Sequence, residues 1–464
     1  MRHTLVLDNQ DLFERDRELT QGKLAKMSET PYAFLRGSVA QLDRDLFEPG
    51  GAALRPWRFT DSEVDDVALV GDPHPENIGC YRAGNGALTL DFNDFDAASY
   101  GPFELDVRRL ALGLWVACAQ VGDELGDGVI ADGDCASIAA GSAGGYAAEI
   151  AALAADPGDA TVIDEDGDWG TIVAALLEDS REDGDDAKPL RDYTLVEDDG
   201  RTMIEGDIDP ARLVELGDYR QAVIEDTVRP VPAAIATRMP ALIEQWRETL
   251  WDPSIATAAS TEILGITRRY GAGVSSYPFL RYYVLLAGPT AGPDDDVLLE
   301  VKEVRDPPPM PGLRRPIDAP YPTNGARVVG FARELQTFVD DDPWLGWADD
   351  GARAFRVRER TGYQNGFEVA DLGAAIGAGT WTIDDASDFA ELSGRVLARS
   401  HARARRARGT AAGAAIAAAI DDDQAFVDDV TEFAEDYGAV VLADHLRLRE
   451  LLAAHGPDLG YGKW

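Results

Sequence analysis

The chain has 464 residues, 45% of them hydrophobic and 27% charged, which is the composition of a globular protein and excludes a disordered one. Its 84 acidic residues outnumber 43 lysines and arginines, and the net charge of −41 repels nucleic acid and anionic membranes and argues against both as partners. Only five of the basic residues are lysine (Lys23, Lys26, Lys188, Lys302 and Lys463) and 38 are arginine, a balance that points to an acidic, halophilic protein kept soluble in molar salt.

Residues 1–8 lack an apolar stretch long enough for a signal peptide, and no run approaches the ~18 apolar residues of a membrane span, so a cytoplasmic protein is expected. Residues 1–50 read as a helix, a turn at Thr30-Pro31, and a second helix carrying Phe34-Leu35-Arg36-Gly37. A short strand at 66–70 enters a polar loop, and a second, Ala87 to Leu90, follows a Gly-Asn-Gly turn at 84–86 and runs into Asp91. Glu104 to Val121 has helical periodicity, with Leu105, Leu110, Leu112, Leu114, Trp115 and Val116 on its buried face. Residues 129–250 read as mainly helical, with a hairpin around Asp198-Asp199-Gly200 and acidic stretches that are solvated surface. Two apolar runs then flank a Gly/Ser-rich centre within 262–287, and 297–304 alternates like a strand. A Pro-rich loop at 307–322, a helix at 325–339 and a strand at 354–359 follow. From 384 the chain is helical again, with an Ala-rich segment at 411–419. Cys80, Cys118 and Cys135 have the spacing of neither a disulfide framework nor a zinc site.

The chemistry concentrates in Gly71-Asp72-Pro73-His74-Pro75-Glu76-Asn77 and Leu88-Thr89-Leu90-Asp91-Phe92-Asn93-Asp94. Phosphoryl transfer needs a carboxylate to orient the attacking hydroxyl and oxygen ligands for the Mg²⁺ that accompanies the nucleotide. Asp72 has the place of that carboxylate, and Asn77 and Asp91 have the order and spacing of the metal ligands, with Asp94 in reserve. Any loop favours Gly, Pro, Asp and Asn; what favours chemistry is two such motifs, each at a strand end. His74 is placed to brace the loop by hydrogen bonds. Some 200 residues on, Gly271-Ala272-Gly273-Val274-Ser275-Ser276 forms a glycine turn whose backbone N–H groups can approach phosphates. The strand after it holds Lys302, a compact charge suited to α/β-phosphates in a chain that otherwise prefers arginine. Either Glu334 or Gln336, on the next helix, is expected to hold that lysine.

The Asp72 loop resembles the Gly-Asp-x-His-x-x-Asn loop of aminoglycoside phosphotransferases and choline kinases, and the Asp91 segment resembles their Asp-Phe motif. Gly101-Pro102 to Asp106, with Arg109-Leu110-Ala111, is similar to their next helix, whose Asp buttresses the catalytic loop. Most of the chain more closely resembles the domain-of-unknown-function 2252 family. The shared elements are Phe34-Leu35-Arg36-Gly37, Gly71-Asp72 to Asn77, Asp91 to Asp96, the Gly271 loop, Val301-Lys302-Glu303, Val328-Val329 to Gln336, and Leu397 to Arg403. That family brings no function with it, so the expected mechanism comes from the kinase resemblance. Three positions depart from the patterns: Val70 stands where many such kinases have His, Ser276 replaces a third glycine, and Gly362-Tyr363-Gln364 lacks the family's charged segment.

The resemblance implies an α+β, protein-kinase-like fold, and the order of the motifs implies that it is circularly permuted. Residues 1–255 would form the catalytic-loop lobe, 256–372 the β-rich nucleotide-covering lobe, and 373–464 helices that pack back on the first. The expected activity is ATP- and Mg²⁺-dependent transfer to a small-molecule or protein hydroxyl acceptor. Asp72 and His74 would serve catalysis, Asn77, Asp91 and Asp94 the metal, and Gly271, Gly273, Ser275, Lys302, Glu334 and Gln336 the nucleotide. Arg36 and Asp106 would give structural support, and His401, Arg399 and Arg403 would offer an anion or substrate site. A nucleotide-binding pseudokinase, a nucleotidyl transferase on the same fold and a metal-dependent phosphoesterase are the alternatives.

Overall fold

Residues 2–47 fold as five short helices, Arg2–Asp8, Gln10–Arg15, Arg17–Met27, Pro31–Gly37 and Val39–Phe47, where two were expected. The break at Thr30-Pro31 is the expected one, and it and the added break at Asp16 have local causes. Asp16 caps the Leu19 N–H, and Thr30 caps the Ala33 N–H directly before Pro31, which suits only a helix's first turn. The computed structural model describes residues 1–462 other than 48–55, 84–85, 127, 132, 160, 186, 198–199, 205–211, 258, 291, 308–319, 338–341 and 408, and omits the side chains of residues 183 and 259. Most of the Pro-rich loop, two residues of the Gly-Asn-Gly turn and the tip of the 198–200 hairpin therefore lie outside the described residues.

Two small antiparallel pairs follow, Val67–Leu69 with Ser99–Gly101 and Ile78–Arg82 with Leu88–Phe92. They carry the two motif loops, 70–77 and 93–98. The helices Phe103–Leu125, Asp134–Ala155, Ile383–Arg403 and Asp423–His455 pack on one another beneath them. Phe103 stacks on both Tyr146 and Phe426 at 6.1 Å, so the beginning, middle and end of the chain share one apolar core.

Two expectations change in this bundle. Cys118 and Cys135 form a disulfide, because the helices of 103–125 and 134–155 are neighbours and bring the two Cα atoms to 5.4 Å, within bridging range. The Asp134–Ala155 helix is long and apolar enough by length and composition to cross a membrane, although no such run was expected. It is packed against three other helices and more than half buried, as a core helix is.

The remaining large element is a six-stranded antiparallel sheet. Its order from one edge is Gly346–Asp349, Ala354–Glu359, Val297–Val304, Arg281–Leu286, Ile263–Tyr270 and Thr227–Pro230. The helix Asn324–Leu335, capped by Thr323, is inserted between the Val297–Val304 strand and the Gly346–Asp349 edge. One face of the sheet packs Val284, Leu299, Val301 and Phe355 on Met239, Ile243 and Trp246 of the Ala233–Arg247 helix. The other face packs Tyr283, Leu285 and Leu298 on Leu190 and Val228. Alternation suggested that Val297–Val304 was half exposed, but both its faces are covered and all eight residues are buried. The 129–250 region is also less helical than its composition suggests. It contains the hairpin pairs Thr194–Glu197 with Gly200–Met203 and Arg212–Leu216 with Tyr219–Val223, and its Thr227–Pro230 strand and Ala233–Arg247 helix share the core of the sheet.

Candidate functional site

Asp106, in the first turn of the Phe103–Leu125 helix, accepts hydrogen bonds from the Val70 N–H at 2.7 Å and the Gly71 N–H at 3.1 Å. His401 Nε2 lies 3.1 Å from the same carboxylate, and its Nδ1 lies 2.7 Å from the Tyr146 hydroxyl. A fully buried carboxylate thus holds the backbone of the Asp72 loop. Arg109 stands three residues further on, on the same helix face. Its Nε donates to Asp72 Oδ1 at 2.7 Å and its Nη2 to the Leu35 carbonyl at 3.2 Å. One helix face therefore fixes both the loop and the direction of its carboxylate. Asp72 remains one-fifth exposed and reachable.

His74 is buried 3.2 Å from the Tyr32 hydroxyl. Burial, reinforced by the Arg36 and Arg109 charges, holds its pKa well below the usual value, so it is a neutral brace. Glu76 pairs with Arg36 and accepts the Val369 N–H at 3.1 Å. Asn77 links the two motif loops. Its Oδ1 accepts from the Asn93 and Asp94 N–H groups at 3.1 and 2.7 Å, and its Nδ2 donates to the Asp72 and Asp94 carbonyls at 3.3 and 2.9 Å.

Asp91 is buried with both oxygens in use, Oδ1 by the Phe92 N–H at 2.8 Å and Oδ2 by the Thr337 N–H at 2.8 Å and Arg403 at 3.0 Å. The carboxylates that meet the sheet are instead Asp94 and Asp96. Lys302 Nζ lies 2.8 Å from Asp94 Oδ2 and 2.7 Å from Asp96 Oδ2, bridging 208 residues of sequence. The lysine is 3% exposed and Asp94 is 46% exposed, so the triad is open on the Asp94 side. Burial alone would raise the Asp94 pKa, but Lys302 and Arg356 outweigh it and hold the carboxyl well below its usual range. Burial and the Asp94 charge push Asp96 the other way, and its buried Oδ1 has no hydrogen-bond partner.

The model of DUF2252, described as an uncharacterized protein conserved in bacteria, matches residues 15–451. The chain belongs to this family. Nothing matches it among curated proteins or among solved structures.

Other expected members of the DUF2252 site lie elsewhere. Neither Glu334 nor Gln336 holds Lys302: the Glu334 carboxylate accepts the Arg405 N–H, and Gln336 donates to the Phe92 carbonyl at 3.0 Å. The lysine is already neutralised by the Asp94 loop, and the helix ends at Leu335, which turns Gln336 away. His401, Arg399 and Arg403 form no solvent-facing anion site. Arg399 bonds the Thr161 carbonyl at 2.7 Å and Asp159 at 3.2 Å and pairs with Glu149. Arg403 bonds Asp91 and the Leu335 carbonyl, and His401 braces Asp106. Arg399 and His401 are buried cations or bases that need partners, and the bundle supplies them; Arg403 is exposed but is engaged by Asp91 and the Leu335 carbonyl.

The glycine turn has positive φ at Gly271 (86°) and Gly273 (76°), and the Gly271 and Gly273 carbonyls accept from Lys26 Nζ at 3.1 and 2.9 Å. Ser275 is exposed. Sequence reasoning missed Lys26, Arg327 and the pairing role of Asp96. Arg327 donates to the Asp96 carbonyl at 2.8 Å and the Arg305 carbonyl at 2.7 Å, and also to the Ala98 carbonyl, so it ties the Asp94 loop to the sheet's helix. Its only sequence signal is an arginine on the apolar face of a short helix, Val328-Val329 being next to it.

Proposed function

We propose that the protein is an ATP- and Mg²⁺-dependent phosphotransferase of kinase-like fold, circularly permuted, that acts on a hydroxyl acceptor. The observation that carries the proposal is the Lys302–Asp94–Asp96 triad, which joins the lysine strand to the Asp loop. The order of parts in the sheet supports it. A glycine turn joins the first two strands of the Ile263–Tyr270, Arg281–Leu286, Val297–Val304 series, the lysine lies on the third, and a helix follows, as kinase phosphate sites require. The permuted order is supported at both of its junctions. After the Ala354–Glu359 strand the chain runs along Ile78–Arg82, with the Cys80 N–H 2.6 Å from the Asn365 carbonyl and the Phe367 N–H 3.1 Å from the Ile78 carbonyl, and it then enters the last helices. Arg2 Nε donates to the Leu459 carbonyl at 3.0 Å, so the two ends are adjacent, as a permuted chain needs.

The residues present fit Mg²⁺. The ion takes one or two carboxylates and fills its octahedron with phosphate oxygens and water. Asp94 is open to solvent and Asp96 has an unpartnered buried oxygen, which makes this pair a better candidate than Asn77 and Asp91. Bound Mg²⁺ would neutralise charge on the nucleotide phosphates. Lys302 supplies the fixed positive charge beside them. Asp72 orients the acceptor hydroxyl and takes up its proton as the new oxygen–phosphorus bond forms and the bond to ADP breaks. Arg109 fixes the direction of Asp72, and Asn77 fixes the spacing between the Asp72 and Asp94 loops.

Calorimetric titration with ATP in molar KCl, with and without Mg²⁺, tests this reading. Mg²⁺-dependent binding is expected in the wild type and should weaken at least about tenfold in Lys302→Ala and Asp94→Ala, about 1.4 kcal/mol or more. Asp72→Asn should bind ATP normally and release no ADP in the presence of a panel of hydroxyl compounds. A folded wild type that does not bind ATP would sink the proposal, and pyrophosphate in place of ADP would mark nucleotidyl transfer.

A further inference from the structure

The Phe34-Leu35-Arg36-Gly37 motif has no role in phosphoryl transfer as described, yet it lies against the catalytic loop. The Leu35 carbonyl holds Arg109, and Arg36 Nη1 pairs with Glu76, four residues after Asp72. Gly37 explains how the motif reaches this place. A Cβ there would run into the Met27 side chain, so only glycine lets the Arg17–Met27 and Pro31–Gly37 helices close to this distance. Their approach brings Lys26 and Arg36 to the same region, Lys26 against the glycine turn and Arg36 against the Asp72 loop.

Both cations keep unused capacity. Arg36 is one-quarter exposed, and its Nε and Nη2 make no hydrogen bond to the described residues. Those two nitrogens form the side of the guanidinium that binds a carboxylate or phosphate through parallel hydrogen bonds. Lys26 spends two of its three N–H groups on glycine carbonyls and pairs with no carboxylate among the described residues. Burial lowers its pKa, the Arg212 and Arg36 charges add to that shift, and the Glu29 and Glu225 charges oppose it. The Glu76, Asp72 and Asp94 charges all favour the charged guanidinium against its burial, so Arg36 lies near the reacting groups.

We infer that Arg36, assisted by Lys26, forms an anion-binding site between the catalytic loop and the glycine turn, and that it takes a phosphate or carboxylate group of the acceptor. The acceptor is then a small hydroxyl compound with an anionic substituent. Calling the ligand an acceptor rests on the phosphotransferase proposal; the anion site does not.

The test uses the full chain in molar KCl, as wild type, Arg36→Lys, Arg36→Gln and Lys26→Gln, each checked for a wild-type melting profile. Inorganic phosphate is titrated alone and after saturation with Mg-ADP, and Mg-ADP and Mg-ATP are titrated separately. The expected result is phosphate binding on top of Mg-ADP, weakened at least about tenfold in Arg36→Gln and less in Lys26→Gln, with Mg-ADP affinity unchanged. Arg36→Lys keeps the Glu76 pair but loses the parallel fork, so it should bind phosphate more weakly than wild type, and this comparison stands even if the glutamine variant does not fold. Loss of Mg-ATP but not Mg-ADP affinity in the Arg36 variants, with no phosphate bound beside Mg-ADP, would assign the site to the nucleotide's terminal phosphate and overturn the acceptor. Equal phosphate affinity in wild type and variants would overturn the site. Phosphate binding that depends on Arg36 without any Mg-ADP binding would sink the phosphotransferase reading and leave the anion site in place.

Discussion

Asp43, on the Val39–Phe47 helix, is buried near Arg109 with Oδ2 unpartnered. Burial pushes its carboxyl up to about 8; Arg109 and Arg44 oppose that shift and the Asp72 charge adds to it. An unfolded aspartate titrates near 3.9, so between about pH 4 and 8 the folded protein holds this proton more tightly than the unfolded chain does. The contribution is complete below that window and is lost as pH rises through it, by up to about 1.4 kcal/mol per unit. Buried His74 has the opposite sign, since its depressed pKa gives stability that is lost as pH falls below about 6.5. Urea unfolding of wild type and Asp43→Asn across pH 5–8 separates the two, because the difference between the proteins cancels His74. Stability of the wild type relative to the variant should fall as pH rises; a constant difference would contradict the buried-proton account. At this scale sequence spacing identified Asp72, Asn77 and Asp91 as one cluster. It could not say that Asp91 and Asn77 would turn their oxygens inward, because Thr337, Arg403 and the Asn93 and Asp94 N–H groups that occupy them are set by packing.

The closest helix pair in the bundle is made by glycine. A Cβ at Gly394 would meet the Ser142 carbonyl, and one at Gly145 would meet the Glu391 carbonyl, so the Asp134–Ala155 and Ile383–Arg403 helices approach almost backbone to backbone. His401 and Arg403, which brace Asp106 and Asp91, are carried by the second of these helices. Gly394→Ala forces the helices apart and should cost about 1–3 kcal/mol, lowering the melting temperature. Gly37→Ala should cost less, because its obstacle is a methionine side chain, which can change rotamer, rather than a backbone carbonyl. Equal shifts in the two variants would mean that the bundle yields as readily as a side chain does. Helical periodicity made the 103–125 and 383–403 helices readable. The hairpin around 198–200 was readable from its turn, but the short strands between 212 and 230 were not, since each is completed only by a partner strand that local sequence does not name.

Ion pairs connect the parts of the molecule: Arg15 with Glu303, Arg305 with Asp11, and Lys302 with Asp94 and Asp96 tie the sheet to the N-terminal helices and the motif loops. These attractions act against the self-repulsion of a −41 charge. Between 0.1 and 1 M salt the screening length falls from about 10 to about 3 Å, which removes repulsion across the surface while pairs made by buried groups such as Lys302 and Glu303 are screened less. Thermal melts in increasing KCl should therefore show stability rising steeply below about 1 M and levelling beyond it. A gain that begins only above that concentration would assign the effect to salting-out of apolar surface and not to charge.

The sequence by itself determined the charge balance, the chain positions of the main helices and of the sheet strands from 263 onward except Gly346–Asp349, and the two loops in which chemistry concentrates, because periodicity, turn residues and motif spacing are local properties. Only the tertiary structure decided the partners. Lys302 meets Asp94 and Asp96, Asp106 is held by His401, and Arg36 lies against the Asp72 loop by way of Glu76, through contacts that span 35 to about 300 residues. Which oxygen of a carboxylate stays free depends on what the folded chain brings to it, and one-dimensional spacing carries no record of that.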